Sequence, residues 1–209
     1  MIVAIDGPAG AGKSTVARKL AERLGFRYLD TGAMYRALTW LALRHELPLD
    51  RGAELAALAR ANPVDFDEHG RCFIGGTDVT AAIRRAEIDR LVPVVARHPE
   101  VREVMRERQR ALGATGDSVI EGRDIGAVVA PDAAVKVYLE ADPEERARRR
   151  VAERAGIGAD ALVTDMRTRD QRDAANTHLA PGAVVIDTTD LSVDEVVDRI
   201  AELVRQVPA

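Results

Sequence analysis

Aromatic residues and cysteine are scarce in this chain of 209 residues, and each scarcity limits what the protein can be. Aromatic residues make up 3% of the sequence, so Val, Ile, Leu and Ala must fill the core that an apolar content of 46% allows. The single cysteine, Cys72, excludes an intrachain disulfide framework, and we expect it to be a small buried apolar residue in a strand. A reducing, cytoplasmic location is therefore expected.

Long apolar runs and an excess of positive charge are also missing. No stretch approaches the ~18 apolar residues of a membrane span, and the first residues do not form the basic and apolar segments of a signal peptide. The formal net charge is −4, which argues against sequence-independent nucleic acid binding because such binding needs a basic surface. We therefore expect neither a membrane nor a nucleic acid polymer as a partner.

Apolar strands alternate with amphipathic helices along most of the chain. Residues 2–5 form a short apolar run, and residues 14–24 then show apolar positions at helical spacing. Further strands are predicted at 118–121, 134–139 and 183–187, and further helices at 33–43, 51–61, 86–97, 99–112, from near Pro143, from near Ala159, and at 192–206. Such alternation predicts an α/β fold with a parallel central sheet covered by helices on both faces.

The alternation is interrupted at residues 64–80, where apolar and polar residues alternate around a turn at Gly70. This pattern predicts a small antiparallel hairpin with a third short strand. We therefore expect the chain to have two parts: a core formed by residues 1–62 and 113–209, and an insert formed by residues 63–112.

A glycine-rich segment directly follows the first strand. Residues 7–14 match the pattern G-x-x-x-x-G-K-[ST], whose backbone N–H groups surround a nucleotide phosphate at the start of a helix. Lys13 is expected to reach the β- and γ-phosphates of ATP, and the Ser14 hydroxyl to join the Mg²⁺ shell. The candidate ATP-binding residues are Gly7, Pro8, Ala9, Gly10, Ala11, Gly12, Lys13, Ser14 and Thr15. The motif alone does not distinguish GTPases, ATPases and kinases.

Basic residues follow in two places where an anion would be held. Arg36 lies among the apolar residues of a predicted helix, so it needs either a ligand phosphate or a carboxylate such as Asp30 or Glu121. Arg123 and Asp124 follow a core strand at the sheet edge where ligands of parallel sheets bind. There, Arg123 can hold an acceptor phosphate and Asp124 the amino group of a base, with an ordinary polar loop as the alternative.

A third group of basic residues shares one helical face. Arg146, Arg149 and Arg150 recur at i, i+3 and i+4, and a glycine-containing break at 155–158 follows them. Like charges in this arrangement repel one another unless an anion lies between them. The segment near residues 150–162 is therefore a candidate lid over the transferred phosphate, with a solvated charged face as the alternative.

Together these motifs make the chain resemble the bacterial cytidylate kinase family over nearly its whole length. The segments that carry the resemblance are 5–14, 30–36, 121–126, 135–150, 169–173 and 186–189. The resemblance implies a P-loop NTPase fold with three α/β/α layers, a monophosphate-binding insert, a helical lid and a monomeric state. It also implies transfer of the γ-phosphoryl group of Mg-ATP to CMP or dCMP.

The resemblance further implies a role for individual residues. The expected substrate-binding residues are Thr31, Arg36 and Arg123 for the acceptor phosphate, Arg102 and Asp124 for cytosine, and Arg169 and Asp173 for the ribose. The expected catalytic residues are Lys13, Arg123, Arg146, Arg149 and Arg150. From their spacing alone, Arg169 and Asp173 are as well explained by a surface ion pair. Two positions depart from the family pattern: Pro93 replaces a frequent serine, and residues 174–179 lack a phosphate-binding arginine.

Three other functions share the phosphate loop. Another small P-loop kinase, for shikimate, gluconate or dephospho-coenzyme A, is disfavoured by the 122–124 loop and by the 64–80 insertion. A GTP-dependent switch protein is disfavoured because the guanine-reading motif N-K-x-D does not occur in the sequence. A regulatory ATP-binding module without turnover is disfavoured by the presence of both Lys13 and Ser14.

Overall fold

The computed structural model describes residues 1–153 and 179–208. The helix predicted from near Ala159 lies outside the described residues, as do the candidate ribose-binding residues Arg169 and Asp173. Within the described part of the chain, no helix is long and apolar enough to cross a membrane.

The chain divides into two compact units. Unit 1 comprises residues 1–28 and 117–209, and unit 2 comprises residues 29–116. All residues of the predicted insert, 63–112, belong to unit 2. The proposed division into core and insert itself stays a prediction.

Unit 1 is built on a central sheet of five strands in the order β2-β6-β1-β7-β8. The strands are β1 (Ile2–Asp6), β2 (Arg27–Asp30), which continues into unit 2, β6 (Ser118–Glu121), β7 (Val135–Glu140) and β8 (Val184–Asp187). Strand β1 runs parallel to both β6 and β7, and β7 runs parallel to β8. The predicted parallel sheet is therefore confirmed, and β2 is an additional strand that was not predicted.

The central strand, β1, is apolar and buried. Val3, Ala4 and Ile5 of β1 are fully buried, as expected for a parallel strand between two neighbours. In the described part of unit 1 the helices are α1 (Lys13–Leu24), α6 (Pro143–Glu153) and α7 (Val193–Arg205), and a five-residue π-helix spans Ile125–Val129. The apolar faces of α1 and α7 join β1 and β7 in one core cluster.

The ends of these helices follow the expected capping chemistry. Helix α1 ends at Gly25, which adopts the left-handed conformation with a φ of 68° that glycine favours. Helix α7 begins with a capping box, in which the Glu195 N–H donates to Ser192 Oγ and the Ser192 N–H donates to Glu195 Oε2.

Unit 2 combines four helices with a small antiparallel sheet. The helices are α2 (Thr31–Arg44), α3 (Gly52–Ala61), α4 (Ala86–Ala96) and α5 (Pro99–Gly113), and the strands are β3 (Val64–Phe66), β4 (Cys72–Ile74) and β5 (Thr77–Asp78). Val64 pairs with Ile74 across the turn at Gly70, so the predicted hairpin with a third short strand is confirmed. Cys72 is buried, and burial raises the pKa of its thiol to about 12, which fits a small apolar core residue.

Candidate active site

The phosphate loop joins β1 to α1 in unit 1, as its sequence predicts. Gly10 and Gly12 adopt φ values of 78° and 88°, which place them in the left-handed region. A Cβ atom on Gly7 would lie 2.1 Å from the carbonyl oxygen of Leu139, so only glycine fits where the loop crosses β7. Lys13 opens α1, and its Nζ donates to the Pro8 carbonyl at 2.7 Å. The lysine ammonium therefore lies over the loop that would hold a phosphate.

A buried carboxylate lies beside the predicted metal ligand. The Ser14 hydroxyl donates to Glu121 Oε2 at 2.9 Å, and the Tyr28 hydroxyl donates to the other carboxylate oxygen. Glu121 is the last residue of β6, which neighbours β1, and it is only 4% exposed. The sequence alone offers Glu121 only as a candidate partner for Arg36. The signal that marks it is an acidic residue at the carboxyl end of a buried strand.

Ser14 and Glu121 together offer the oxygen ligands that Mg²⁺ prefers. Within the described residues, no group of three or more His, Cys, Asp or Glu side chains could hold a metal ion. A Mg²⁺ ion that takes one or two ligands from the protein and the rest from nucleotide phosphates and water fits this arrangement. The residues present are therefore suited to Mg²⁺ carried in by a nucleotide.

The loop after β6 is tied to the end of β1 by several hydrogen bonds. The Gly122 N–H donates to the Ile5 carbonyl at 3.0 Å, and the Arg123 guanidinium donates to the Gly7 carbonyl. The structure thus brings Arg123 to the phosphate loop, as its place after a core strand predicts. Asp124, the candidate cytosine contact, is 7% exposed at the start of the π-helix.

Asp6 lies beneath this loop and was not singled out from the sequence. Its two carboxylate oxygens accept the N–H groups of Ile125 at 2.9 Å and Gly126 at 2.8 Å. Burial raises the pKa of Asp6 from 3.8 to about 6, and the nearby Asp124 carboxylate also raises it. The two backbone N–H groups and the Lys13 ammonium act in the opposite direction.

The arginines of α6 contact the phosphate loop or its neighbours. Arg146 is 7% exposed and donates to the carbonyls of Ala9, at 3.0 Å, and Ala141, at 3.2 Å. Arg149 donates to the Glu145 carboxylate at 3.0 Å and to the Thr188 carbonyl at 2.6 Å.

The anion that balances Arg149 in this structure is therefore a protein carboxylate. Glu145 also pairs with the exposed Arg148, so the two arginines share one carboxylate. The side chain of Arg150 is outside the described residues.

A cavity of about 700 Å³ opens beside the loop within unit 1. Its lining residues come from the phosphate loop and α1 (Gly10, Ala11, Gly12, Thr15, Val16), from the start of α6 (Asp142, Glu144, Glu145, Arg148, Arg149) and from residues 188–193 and Val196. Thr188 is 2% exposed, and its hydroxyl donates to the Ala11 carbonyl at 3.2 Å. Residues 190–193 were not predicted to be part of a site, because they lie far from the motif in the chain.

Unit 2 contains its own cluster of opposite charges. Asp30 is 4% exposed, caps α2 through the Ala33 N–H, and accepts hydrogen bonds from Arg36 at 2.7 Å and Arg84 at 3.0 Å. Burial alone would raise the pKa of Asp30, but Arg36, Arg84 and the Ala33 N–H together hold it below its usual value. Of the two carboxylates considered for Arg36, Asp30 is thus the partner.

Two arginines sharing one carboxylate leave a net positive charge in this cluster. Arg36 is mostly buried, and its Nε has no hydrogen-bond partner in the described part of the chain. Arg84 was not predicted from the sequence. Thr31 is buried at the first turn of α2, and Arg102 is half-buried on α5.

A parallel sheet whose first strand leads into this loop and into a helix beginning with Lys and Ser defines a P-loop nucleotide-binding fold. Comparison with solved structures agrees. A shikimate kinase from Bacteroides thetaiotaomicron matches with a TM-score of 0.55 at 17% identity over 98% of each chain. A gluconokinase from Sinorhizobium meliloti 1021 matches with a TM-score of 0.52 at 17% identity, covering 98% of this chain and 92% of that one. At such low identity the likeness shows the fold alone.

Sequence comparison is more specific. Residues 3–206 match the family model for cytidylate kinase. A cytidylate kinase from Geobacillus sp. (strain WCH70) is 47% identical over 215 residues, and one from Bacillus subtilis (strain 168) is 44% identical over 215 residues. Each alignment covers 98% of this chain and 96% of the relative. The chain belongs to the cytidylate kinase family, which confirms the resemblance found in its motifs.

Proposed function

We propose that this protein transfers the γ-phosphoryl group of ATP to the 5′-phosphate of CMP or dCMP, giving ADP and CDP or dCDP. The observation that carries the proposal is the family match over almost the entire chain, combined with a complete phosphate loop that includes Lys13 and Ser14. The attacking group is a phosphate oxygen that is already ionised near neutral pH, so the reaction needs no strong general base. Positioning and charge neutralisation then supply the rate enhancement.

The ATP end of the proposed site lies in unit 1. Backbone N–H groups of the loop and the start of α1 hold the β- and γ-phosphates, and Lys13 supplies positive charge to them. The adjacent cavity, bordered by Arg149 and residues 188–193, has room for the nucleoside part of ATP. Ser14 and Glu121 would hold Mg²⁺. When bound, Mg²⁺ neutralises charge on the phosphates.

The positive charges around the loop are proposed to stabilise the transition state. Arg123 donates to the Gly7 carbonyl and Arg146 to the Ala9 carbonyl, so each guanidinium lies at one side of the loop. Arg149 is close to Gly12, since a Cβ atom there would lie 3.8 Å from its guanidinium. Such preorganised cations spread the charge that develops on the transferred group. Arg150 is proposed for the same role from the resemblance.

The acceptor end of the proposal includes residues of unit 2. Arg36, Arg84 and Thr31 are proposed to bind the phosphate of CMP, because the two arginines share one carboxylate and so retain net positive charge. Arg102 is proposed to contact cytosine. Arg123 is proposed to bind the phosphate of CMP, and Asp124 is proposed to contact its base.

Further parts of the proposal depend on the family resemblance. Residues 63–112 would form a monophosphate-binding insert, and the segment near 150–162 would act as a lid that excludes water. Arg169 and Asp173 would hold the ribose. We also propose a cytoplasmic monomer, with nucleotides as its only partners.

An acceptor panel tests the proposed reaction. ADP formation from Mg-ATP would be measured with CMP, dCMP, UMP, AMP, GMP, dTMP and shikimate as separate acceptors. We expect fast turnover with CMP and dCMP. A Lys13→Ala variant serves as the inactive control. Comparable rates with UMP would broaden the acceptor class to pyrimidine nucleotides, and a Pro93→Ser variant would then test whether Pro93 is the cause. Turnover with shikimate and not with CMP would replace the proposal by another small-molecule kinase.

A further inference from the structure

Within the described residues, Asp6 is a buried carboxylate at the phosphate loop to which the proposed function assigns no role. It is the last residue of β1, directly before Gly7, and it is 3% exposed. Both of its oxygens accept backbone N–H groups of the π-helix that follows the Arg123–Asp124 loop, those of Ile125 and Gly126. The first N–H groups of any helix lack partners within the helix, and a carboxylate satisfies them well.

We propose that Asp6 is a positioning residue, whose carboxylate fixes the backbone at Ile125 and Gly126 and thereby holds Arg123 and Asp124 in place for the acceptor nucleotide. This inference rests on the proposed function and adds a residue to it. Arg123 and Asp124 directly precede the two anchored residues. The two bonds to Asp6 therefore restrain the backbone at Arg123 and Asp124.

Close packing on both sides holds the Asp6 carboxylate and the backbone that it binds in fixed positions. Gly7 packs so closely on Leu139 that no Cβ atom fits, which holds the end of β1 against β7. On the far side of the loop, a Cβ atom on Gly126 would lie 3.1 Å from Ala180 Cβ and 3.3 Å from Lys136 Cγ. The anchored backbone is thus held between the Asp6 carboxylate and packed neighbours.

An Asp6→Asn variant separates positioning from simple packing. Asparagine keeps the shape of the side chain, but its NH₂ group would face a backbone N–H that needs an acceptor. We expect kcat/KM for CMP to fall roughly tenfold to a hundredfold, as for small misplacements of reacting groups. The Kd for a non-hydrolysable ATP analogue should change by less than about threefold, because Lys13 and the loop keep their own contacts. Asp198→Asn, which alters a carboxylate in an exposed ion pair with Arg23 on α1, is the matched control.

Amide hydrogen exchange supplies a readout that does not depend on turnover. The Ile125 and Gly126 amides should be protected in the wild type and should exchange faster in Asp6→Asn, while amides within β1 keep their protection. If Asp6→Asn does not fold, Gly126→Ala is the second variant. Its added Cβ atom would push the same backbone away from Ala180 and Lys136, and it should lower kcat/KM for CMP in the same selective way.

The outcomes separate this inference from the proposed function. Faster exchange at the two amides with a selective loss of kcat/KM for CMP supports it. Unchanged kinetics, or equal losses for ATP and CMP in a folded variant, overturns it. A wild-type enzyme that does not phosphorylate CMP contradicts the proposed function, whereas unchanged exchange in the Asp6→Asn variant contradicts the anchor itself.

Discussion

Asp6 should make the stability of this protein depend on pH in a direction opposite to that of most carboxylates. Burial raises the pKa of Asp6 from 3.8 to about 6 in the folded state, with Asp124 also raising it and two backbone N–H groups and Lys13 lowering it. Between these two values the folded state holds a proton that the unfolded state has released. The free energy of unfolding therefore falls as the pH rises through this window.

The magnitude follows from the size of the shift. A difference of about two pKa units corresponds to about 3 kcal/mol of lost stability at neutral pH relative to strongly acidic pH. About 1.4 kcal/mol of this loss should occur between roughly pH 5 and pH 7.5, because the folded-state pKa lies inside that interval. Removing the ionisable group should remove this contribution.

Urea unfolding of wild type and Asp6→Asn between about pH 5 and pH 7.5 measures the effect. The free energy of unfolding of the wild type should fall by about 1.4 kcal/mol more than that of the variant as the pH rises. All other groups contribute equally to the two proteins, so the difference reports Asp6. Asp198→Asn serves as the control, because its exposed ion pair should give a difference that stays constant. A constant difference for Asp6→Asn would refute the reasoning, and a change of opposite sign would show that the N–H groups and Lys13 outweigh burial.

Three further predictions concern the proposed reaction. Arg123→Ala should lower kcat on the order of 10³-fold while an ATP analogue still binds, by analogy with other arginines that stabilise phosphoryl transfer; steady-state kinetics showing near-normal turnover would contradict its assignment. Arg84→Ala should raise KM for CMP roughly tenfold or more with KM for ATP unchanged, because one charged hydrogen bond to the phosphate is lost; an equal change in both KM values would argue against a phosphate contact. Glu121→Gln should raise the Mg²⁺ concentration needed for half-maximal activity, because the partner of Ser14 loses its charge. A Mg²⁺ titration identical to that of wild type would remove Glu121 from the metal site.

Much of the fold was predictable because its signals are local. Helices and strands follow from the spacing of apolar residues, and the hairpin follows from alternation around Gly70. The predicted elements that fall within the described residues therefore lie within a few residues of their expected bounds. Strand β2 was missed because its four residues, Arg27–Asp30, include two charged side chains and are too short to show alternation. The π-helix at Ile125–Val129 was missed because five apolar residues after a polar loop have no distinguishing period.

The candidate site shows the same division between local and distant information. The phosphate loop was predicted as a unit, since its chemistry lies within eight consecutive residues. Arg36 was predicted to need an anion, and the structure supplies Asp30, but the second arginine on that carboxylate, Arg84, comes from 54 positions further along the chain. No local pattern marks such a residue.

The sequence by itself determined the strand–loop–helix that binds phosphate, the order of the elements and the family to which the chain belongs. Tertiary structure alone decided that Glu121 accepts the Ser14 hydroxyl and that Asp6 caps a helix 119 residues away. These contacts depend on the sheet order, in which β1 lies between β6 and β7. The spacing of apolar residues indicates whether a residue is buried. It does not indicate which strand lies beside that residue, because strands that are far apart in the sequence can pair as readily as near ones.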